Sequence, residues 1–311
     1  MDKTIICRAL TGPTASGKSE LALRIAEENH WEIACMDSMQ VYRKMDIGTA
    51  KASPHDRKRV KHHLLDLCEP WEKFTVSDYA EKADELIRKA SDSGKEILFV
   101  GGTGLYLEAM IRGLQLGTVP ADNELRKELH KLAEEPDGKL LIDRRLRKVD
   151  PVAADRFPMN DLRRRIRAIE VAETGGVRIS EQVNTRKTGP YQWIAVSTRM
   201  NREELYRRIN ERTERMLREG LAEEVKGLLA DGVSPEDQSM QAIGYKEMIP
   251  YLKGEYSLET ASEEIKKGTR HYAKRQITFL KHLEEIQYVE TDSGNAYEKL
   301  KEIYLKTGEK A

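Results

Sequence analysis

The residues best suited to chemistry near the start of the chain form a glycine-rich segment, Gly12-Pro13-Thr14-Ala15-Ser16-Gly17-Lys18-Ser19. This segment, called the phosphate loop below, has the two glycines, the lysine and the hydroxyl residue of a P-loop. It follows an apolar run and precedes a helical pattern, as such a loop requires. Backbone amides, the helix N-terminus and Lys18 can together bind an anion, and the Ser19 hydroxyl can bind Mg²⁺. The segment therefore predicts a site for a diphosphate-like group.

A carboxylate and a hydroxyl follow two other apolar runs. Asp37 comes after residues 33–36, and Thr103 comes after Ile97–Val100 within a glycine-rich turn. Because the carboxyl ends of parallel strands lie at one edge of a sheet, we expect both residues beside the phosphate loop. There Asp37 could hold Mg²⁺ through a water molecule or accept a proton, and Thr103 could donate to a phosphate or a base. A turn or helix cap at Asp37 and a plain glycine turn at Thr103 remain the alternatives.

The elements that would position these residues alternate between strand and helix. Apolar runs at 4–10, 33–36 and 97–100 indicate strands, and helical patterns occupy 19–29, 76–90 and 105–111. Such alternation predicts an α/β fold with a P-loop NTPase-like parallel sheet flanked by helices.

The composition changes after residue 118. Residues 119–189 are highly charged and show no convincing strand pattern, whereas a strand pattern resumes at 191–196. Apolar residues then recur at helical spacing from 202 to 230, and helical patterns continue to about residue 283. We therefore predict a core made of 1–118 and 190–311, interrupted by a helical insertion domain at 119–189.

The overall charge excludes a general attraction to polyanions. Fifty-three Lys and Arg residues balance 53 Asp and Glu residues, so an RNA or DNA partner would need a local basic patch. Residues 143–170 offer one, with nine basic residues against five acidic ones, a local balance of +4; a solvated helix face is the alternative. No apolar run approaches the roughly 20 residues of a membrane helix. We expect a soluble, cytoplasmic monomer that does not bind membranes.

The cysteines fit neither a disulfide framework nor a zinc site. Cys7, Cys35 and Cys68 are odd in number and widely spaced, so we expect three reduced thiols.

Two absent patterns narrow the class of phosphate-binding protein. The chain lacks the guanine-reading Asn-Lys-x-Asp, and the run at 97–100 ends in glycines rather than in the acidic pair usual for hydrolytic P-loop ATPases. Both features argue against a GTPase or a motor protein.

Eight segments, in this order, closely resemble the bacterial tRNA dimethylallyltransferases, also called tRNA isopentenyltransferases. They are the phosphate loop, Asp37-Ser38-Met39-Gln40-Val41-Tyr42, residues 45–51, residues 62–66, Gly101-Gly102-Thr103-Gly104-Leu105-Tyr106, Asp150-Pro151, Gln241-Ala242-Ile243-Gly244-Tyr245 and Lys274-Arg275-Gln276-Ile277-Thr278. The likeness extends from about residue 5 to residue 282.

The resemblance implies transfer of a dimethylallyl group from dimethylallyl diphosphate to the exocyclic amine (N6) of the adenosine 3′ of the anticodon in tRNA. Diphosphate would leave from the phosphate loop with Mg²⁺ as cofactor. Asp37 would accept the proton of the amine, and Thr103 would help to place the reacting groups. Arg212, with Arg208 one turn away, would bind the diphosphate.

The resemblance also implies contacts with the anticodon stem-loop of tRNA, whose base must be extruded to reach a pocket. The implied positions are Asp37, Ser38, Met39, Gln40, Thr103, Arg126, Arg163, Arg164, Arg165, Ile166, Arg167, Gln241, Ala242, Ile243, Gly244, Tyr245, Lys246, Lys274, Arg275 and Gln276. The zinc finger of the eukaryotic members has no counterpart in these residues, so we expect no structural zinc.

Three other functions remain open. An isopentenyltransferase for free adenine nucleotide, such as adenylate, would share the phosphate loop, Asp37 and Thr103 but would have less use for the basic insertion. A small-molecule kinase would bind ATP through the same loop. A non-catalytic RNA-binding P-loop protein would have no need of Asp37 and Thr103 beside a phosphate site.

Overall fold

The computed structural model describes residues 4–114, 119–184 and 191–306, with side chains of the middle range described as far as residue 181. The chain divides into two compact units. The first consists of Met1–Ile111 and Pro190–Ala311, and the second of Arg112–Gly189. In the described part of the chain, no helix is both long and apolar enough to cross a membrane.

The first unit is built on a six-stranded sheet in which every strand pair is parallel. Its strands are β1 Ile5–Thr11, β2 Glu32–Cys35, β3 His62–His63, β4 Ile97–Val100, β5 Tyr191–Arg199 and β6 Ile286–Glu290. Their spatial order is β3-β2-β4-β1-β5-β6, so β1 lies near the centre between β4 and β5. The carboxyl end of β1, which leads into the phosphate loop, is therefore flanked by the carboxyl ends of two neighbours.

Helices make up most of the rest. In chain order they are α1 Lys18–Glu28, α2 Pro54–Arg59, α3 Val76–Asp92, α4 Gly104–Arg112, α5 Asn123–Glu134, α6 Gly138–Val149, α7 Pro151–Arg156, α8 Leu162–Gly175, α9 Ile179–Asn184, α10 Arg202–Arg218, α11 Leu221–Ala230, α12 Tyr245–Leu252, α13 Leu258–Leu280 and α14 Ala296–Lys306, with a 3-10 turn at Ser239–Gln241.

Helices cover both faces of the sheet. Because successive side chains of a strand point to opposite sides, each strand contributes to two hydrophobic clusters. In β4, Phe99 enters a large hydrophobic cluster that includes residues of α3, α11, α12 and α13, whereas Leu98 enters a second cluster with residues of α1 and α14. Both side chains are fully buried. Continuous apolar strands such as Ile97–Val100 are thus explained by burial on two sides.

The predicted α/β class, with its parallel sheet flanked by helices, is confirmed. The runs at 4–10, 33–36, 97–100 and 191–196 are strands, with ends shifted by a few residues at most. Sequence patterns missed β3, β6, α2 and α14. The strand β3 has two residues and α2 has six, which is too short for periodicity to reveal.

The second unit, as predicted for the insertion, is helical: it contains α5–α9 and no strand among its described residues. Its core gathers Leu129, Ile142, Leu146, Ile166 and Ile169, all buried, from α5, α6 and α8. The two named residues of α6 lie four positions apart and those of α8 three, which places each pair on one face of its helix.

Candidate active site

The phosphate loop is braced from behind by β5. A Cβ atom at Gly12, whose φ is +141°, would lie 2.0 Å from the Thr198 Oγ1 atom, so only glycine allows this approach. The Ser16 hydroxyl lies 2.6 Å from the Thr198 hydroxyl, and both side chains are buried. Ser16 therefore faces the sheet and fixes the loop, although its sequence position suggested a contact with the ligand.

Lys18 begins α1, directly after Gly17, which has a left-handed conformation at the N-cap. Its Nζ atom donates to the Pro13 carbonyl oxygen at 3.0 Å. Burial and, next, the positive charge of Arg212 lower the pKa of Lys18 to about 8, and the nearby Asp37 carboxylate opposes this shift. The lysine is thus a cation kept in a poorly solvated place, where an anionic ligand would stabilise its charge.

Asp37 lies in a tight turn after β2. Its Oδ1 atom accepts from the Met39 amide at 2.9 Å, and the adjacent Ser38 amide donates to the Thr103 Oγ1 atom at 3.0 Å. Asp37 therefore caps the turn, as the sequence allowed, and its side chain is half-buried. Thr103 lies behind Asp37 and holds this turn in place.

A cavity of about 400 Å³ joins the phosphate loop to Asp37. Thr14, Lys18 and Ser19 line it from the loop side, and Asp37 lines it from the end of β2, the second strand away from β1. Other predicted residues on its wall are Ser38, Met39, Gln40, Arg212, Gln241, Ala242, Ile243, Lys246, Arg275 and Gln276. A phosphate site and a carboxylate thus face the same volume.

Arg212 reaches this cavity from α10. Its Nη2 atom donates to the Thr49 carbonyl oxygen at 3.3 Å, which also accepts from the Gln40 side chain at 3.0 Å. Burial lowers the pKa of Arg212, and Asp37 partly offsets this effect. Arg208 is paired with Glu204 at 2.8 Å, and its Nη1 atom would lie 3.4 Å from a Cβ atom on Gly17. Both arginines therefore lie near the phosphate loop.

The loop that carries Thr49 is held by one carboxylate. Glu224 accepts from the amides of Asp46 and Ile47, each at 2.8 Å, from Gly48 at 3.1 Å, and from the Tyr245 hydroxyl at 2.6 Å. Tyr245 is fully buried. The expectation that its side chain contacts tRNA is corrected, because its ring and hydroxyl are used within the protein.

The other predicted residues of segments 241–246 and 274–276 either line the cavity or support it from outside. Arg275 is exposed at the cavity, and Lys274 is exposed on α13 outside the cavity lining. The Gly244 amide donates to Glu247 at 2.7 Å, which places Gly244 in the turn before α12. Gln276 is buried, and its amide makes hydrogen bonds with the backbone on both sides.

In the second unit, the predicted tRNA-contacting residues fall into three groups. Arg165 is 2% exposed and donates to Asp143 at 2.6 Å and to three backbone carbonyls, so its guanidinium is fully used; Ile166 is a core residue. The expectation that these two side chains contact RNA is corrected. Arg126 and Arg167 both pair with the buried Glu170.

The third group consists of Arg163 and Arg164, which are exposed at the start of α8. Arg164 lies 3.4 Å from Asp161, the N-cap of the same helix. These two arginines are therefore accessible to a phosphate backbone.

Sequence reasoning found Arg212, Arg275 and Gln276 on the walls that α10 and α13 contribute, but it missed six other lining residues of these helices. Ile209, Thr213 and Met216 line the cavity from α10, and Ile265, Thr269 and Tyr272 line it from α13. Both sets recur at helical spacing, a signal that identifies a buried face. It does not separate a face that packs in the core from one that borders a cavity.

The oxygen atoms present fit the predicted Mg²⁺. The Ser19 hydroxyl and the Asp37 carboxylate both line the cavity, and no group of three or more His, Cys, Asp or Glu side chains among the described residues could hold a metal. Mg²⁺ commonly binds with one or two protein oxygens and completes its shell with water and substrate phosphates. This donor set suits such a shared site.

Cys7, Cys35 and Cys68 are free and buried, as expected. Burial raises the pKa of the Cys68 thiol to about 11. The thiols thus serve as small packing residues.

Comparison with known proteins assigns the family. Residues 40–283 match the IPP transferase family. The tRNA dimethylallyltransferase of Thermotoga maritima is 43% identical over 94% of this chain and 96% of its own, and tRNA dimethylallyltransferase 2 of Geotalea uraniireducens is 46% identical over 90% and 91%.

Two solved structures resemble this one over nearly its whole length. The tRNA isopentenylpyrophosphate transferase of Bacillus halodurans, 36% identical, gives a TM-score of 0.72 over 98% of this chain and 96% of its own. A eukaryotic dimethylallyltransferase acting on tRNA, 26% identical, gives 0.80 over 98% of this chain and 79% of its own. The chain belongs to the IPP transferase family.

Proposed function

We propose that this protein transfers a dimethylallyl group from dimethylallyl diphosphate to N6 of the adenosine 3′ of the anticodon in tRNA, releasing diphosphate. The observation that carries the proposal is the single cavity lined by Lys18, Arg212 and Asp37. It combines cations for a leaving diphosphate with a carboxylate for an incoming amine. Relatives over 40% identical along almost the full chain are named tRNA dimethylallyltransferases, which supports the same activity.

The phosphate loop would bind the diphosphate. Its amides lie at the N-terminus of α1, and Lys18 and Arg212 bring two positive charges that burial has partly desolvated. Such charges stabilise the negative charge that develops as the bond between the allylic carbon and oxygen breaks. Mg²⁺, when held by Ser19 with Asp37 through a water molecule, would add further neutralisation of that charge.

Asp37 would receive the adenine amine. The N6 lone pair is delocalised into the ring, so the amine becomes a useful nucleophile only when a base accepts its proton. The Asp37 turn is fixed by Met39 and Thr103, which holds the carboxylate on the cavity wall. Ile209, Met216 and Ile265 line the same cavity and suit the five apolar carbons of the transferred group.

For contacts with tRNA we propose Lys246, Lys274 and Arg275, which are exposed on the first unit, and a surface of the second unit with the exposed Arg163 and Arg164. Paired arginines such as Arg126 and Arg167 would support this surface through Glu170. A chain with no net charge needs such local patches to bind a polyanion. We further propose that the protein acts as a monomer in the cytoplasm, where reduced thiols are the normal state.

The test is a transfer assay with labelled dimethylallyl diphosphate and three acceptors: an unmodified anticodon stem-loop, the same stem-loop lacking the adenosine 3′ of the anticodon, and AMP. We expect label only on the first RNA. A preference for AMP would indicate an adenylate isopentenyltransferase. Consumption of ATP with a small acceptor, without any transfer from dimethylallyl diphosphate, would indicate a kinase.

A further inference from the structure

A buried glutamine joins two loops that border the cavity. Gln276, on α13, is 6% exposed. Its Oε1 atom accepts from the Thr14 amide at 2.8 Å, and its Nε2 atom donates to the Gly102 carbonyl at 2.8 Å. One side-chain amide therefore ties the phosphate loop to the turn after β4.

The fit around this amide is tight. A Cβ atom on Gly102 would lie 2.1 Å from the Gln276 Nε2 atom, so the backbone of this turn approaches the amide more closely than any residue other than glycine allows. Tyr272, one turn earlier on α13, lies near both Thr103 and Gln276. The orientation of the amide is thus determined by groups on several sides.

The contact with Thr14 has a geometric consequence for Lys18. The Thr14 N–H and the Pro13 C=O belong to one planar trans peptide, so they point in opposite directions. Fixing the N–H toward Gln276 directs the Pro13 oxygen to the other side. There it accepts from the Lys18 Nζ atom at 3.0 Å and from the Ser16 amide at 3.3 Å.

We propose that Gln276 is a positioning residue for the diphosphate site: it sets the Pro13–Thr14 peptide and, through it, the placement of Lys18. The proposal rests on the proposed function in that the ligand of the loop is a diphosphate. It differs from the tRNA contact that the family resemblance implied for this residue, because both ends of the amide are occupied within the protein.

The main experiment replaces the amide by an apolar chain of similar length, Gln276→Met, in the full-length protein. Affinity for inorganic pyrophosphate with Mg²⁺ is measured by calorimetry, and affinity for an anticodon stem-loop by fluorescence anisotropy. We expect pyrophosphate to bind about tenfold more weakly, the effect of losing two hydrogen bonds. RNA affinity should stay within about twofold, since the amide does not face the RNA.

Thr278→Ala on the same helix is the matched control. The Thr278 side chain is exposed and bonds only within α13, to the Lys274 carbonyl. It should leave both affinities unchanged. If Gln276→Met weakens RNA binding and leaves pyrophosphate binding intact, or changes neither, the proposal is wrong.

A second variant, Gln276→Glu, keeps the shape and makes the effect depend on pH. A charged carboxylate can accept from Thr14 but cannot donate to Gly102, whereas the protonated acid can do both. The pyrophosphate Kd of the variant divided by that of the wild type should therefore be largest at high pH and fall toward one as the pH is lowered. Lys18, Asp37, Arg212 and Arg275 border the same cavity in both proteins, so their effect on the Kd largely cancels in the ratio.

A ratio that does not vary with pH would contradict the proposal even if Gln276→Met folds poorly. The outcomes also separate this proposal from the proposed function. If the wild-type protein binds pyrophosphate but does not prenylate the stem-loop, the proposed function is refuted. The Gln276 variants then still test the positioning role through their pyrophosphate affinity. A wild-type protein that does not bind pyrophosphate would refute both.

Discussion

At the scale of single residues, charge in the cavity determines what it can bind. Burial lowers the pKa values of Lys18 and Arg212, and the Asp37 carboxylate partly offsets the shift of each. The cavity lining holds five Lys and Arg side chains against two Asp side chains, and this excess of positive charge favours a ligand that brings negative charge. In the proposed function, the Asp37 carboxylate accepts the proton of a group that enters beside the diphosphate.

The role of Asp37 predicts a large loss of rate without a loss of RNA binding. Asp37→Asn keeps an oxygen for the Met39 amide but is a far weaker base, so turnover should fall by about two or more orders of magnitude. Single-turnover transfer and stem-loop affinity are measured together, with Asp92→Asn at the exposed end of α3 as control. Loss of cooperative unfolding in Asp37→Asn would instead assign the residue a structural role.

The lowered pKa of Lys18 predicts that diphosphate affinity declines at high pH. Below pH about 8 the ammonium is charged, and above it the free protein carries a neutral amine; because the anion binds the charged form, its Kd should rise as the pH passes about 8. Lys18→Arg keeps its charge throughout and should show a smaller rise. Pyrophosphate calorimetry between pH 7 and 10 makes the comparison, and parallel curves for the two proteins would exclude Lys18 as the titrating group.

Sequence reasoning located these residues because a phosphate loop and a strand-end carboxylate have recognisable local patterns. It could not tell whether a polar side chain points into the protein interior or toward a ligand. Arg165 and Tyr245 belong to segments that resemble RNA-binding segments, yet both are used in the protein interior. Gln276 gave one readable signal: it is a polar residue that continues the buried stripe of Ile265 and Leu280 on α13.

At the scale of elements, the site depends on loops held by residues outside the cavity. Glu224 on α11 fixes residues 46–48 through three consecutive amides, and the next residue, Thr49, supplies the carbonyl that Arg212 and Gln40 share. The sequence does not reveal this pairing, because Asp46 and Glu224 are 178 residues apart along the chain. Only the packing of α11 beneath the loop brings them together.

Loss of the Glu224 charge should loosen this loop. Glu224→Gln presents one acceptor and one donor where only acceptors fit, so the free energy of unfolding should fall by about 1–3 kcal/mol. Urea denaturation of the variant beside Glu223→Gln, an exposed neighbour, gives the difference. Equal stability of the two variants would mean that the loop does not need the carboxylate.

The helix α8 presents two exposed arginines near its start, Arg163 and Arg164. Arg163→Gln together with Arg164→Gln should weaken stem-loop binding and reduce the slope of log K against log salt by about one unit or less per arginine. A double variant at exposed positions of the first unit, Arg88→Gln with Lys89→Gln on α3, is the control. If the salt dependence of the α8 variant equals that of the wild type, the RNA surface lies elsewhere.

At the scale of the whole molecule, the sheet order explains why distant segments meet. The strand β1 lies between β4 and β5, with β2 beyond β4, so the turns after these parallel strands share one edge. The α/β alternation predicted this edge from sequence, since long apolar runs and their helices are strong signals. The strand β3 was missed because two residues are too few to show a pattern, and β6 was missed because the polar Gln287 interrupts its apolar residues.

A crystal structure of the protein with inorganic pyrophosphate, Mg²⁺ and an anticodon stem-loop would show whether one cavity binds both substrates. We expect pyrophosphate on the backbone amides of the phosphate loop with Lys18 and Arg212, and the N6 amine of the extruded adenine within hydrogen-bond distance of the Asp37 carboxylate. An adenine bound on another surface, or a pyrophosphate away from Lys18, would show that the two substrates do not share this cavity.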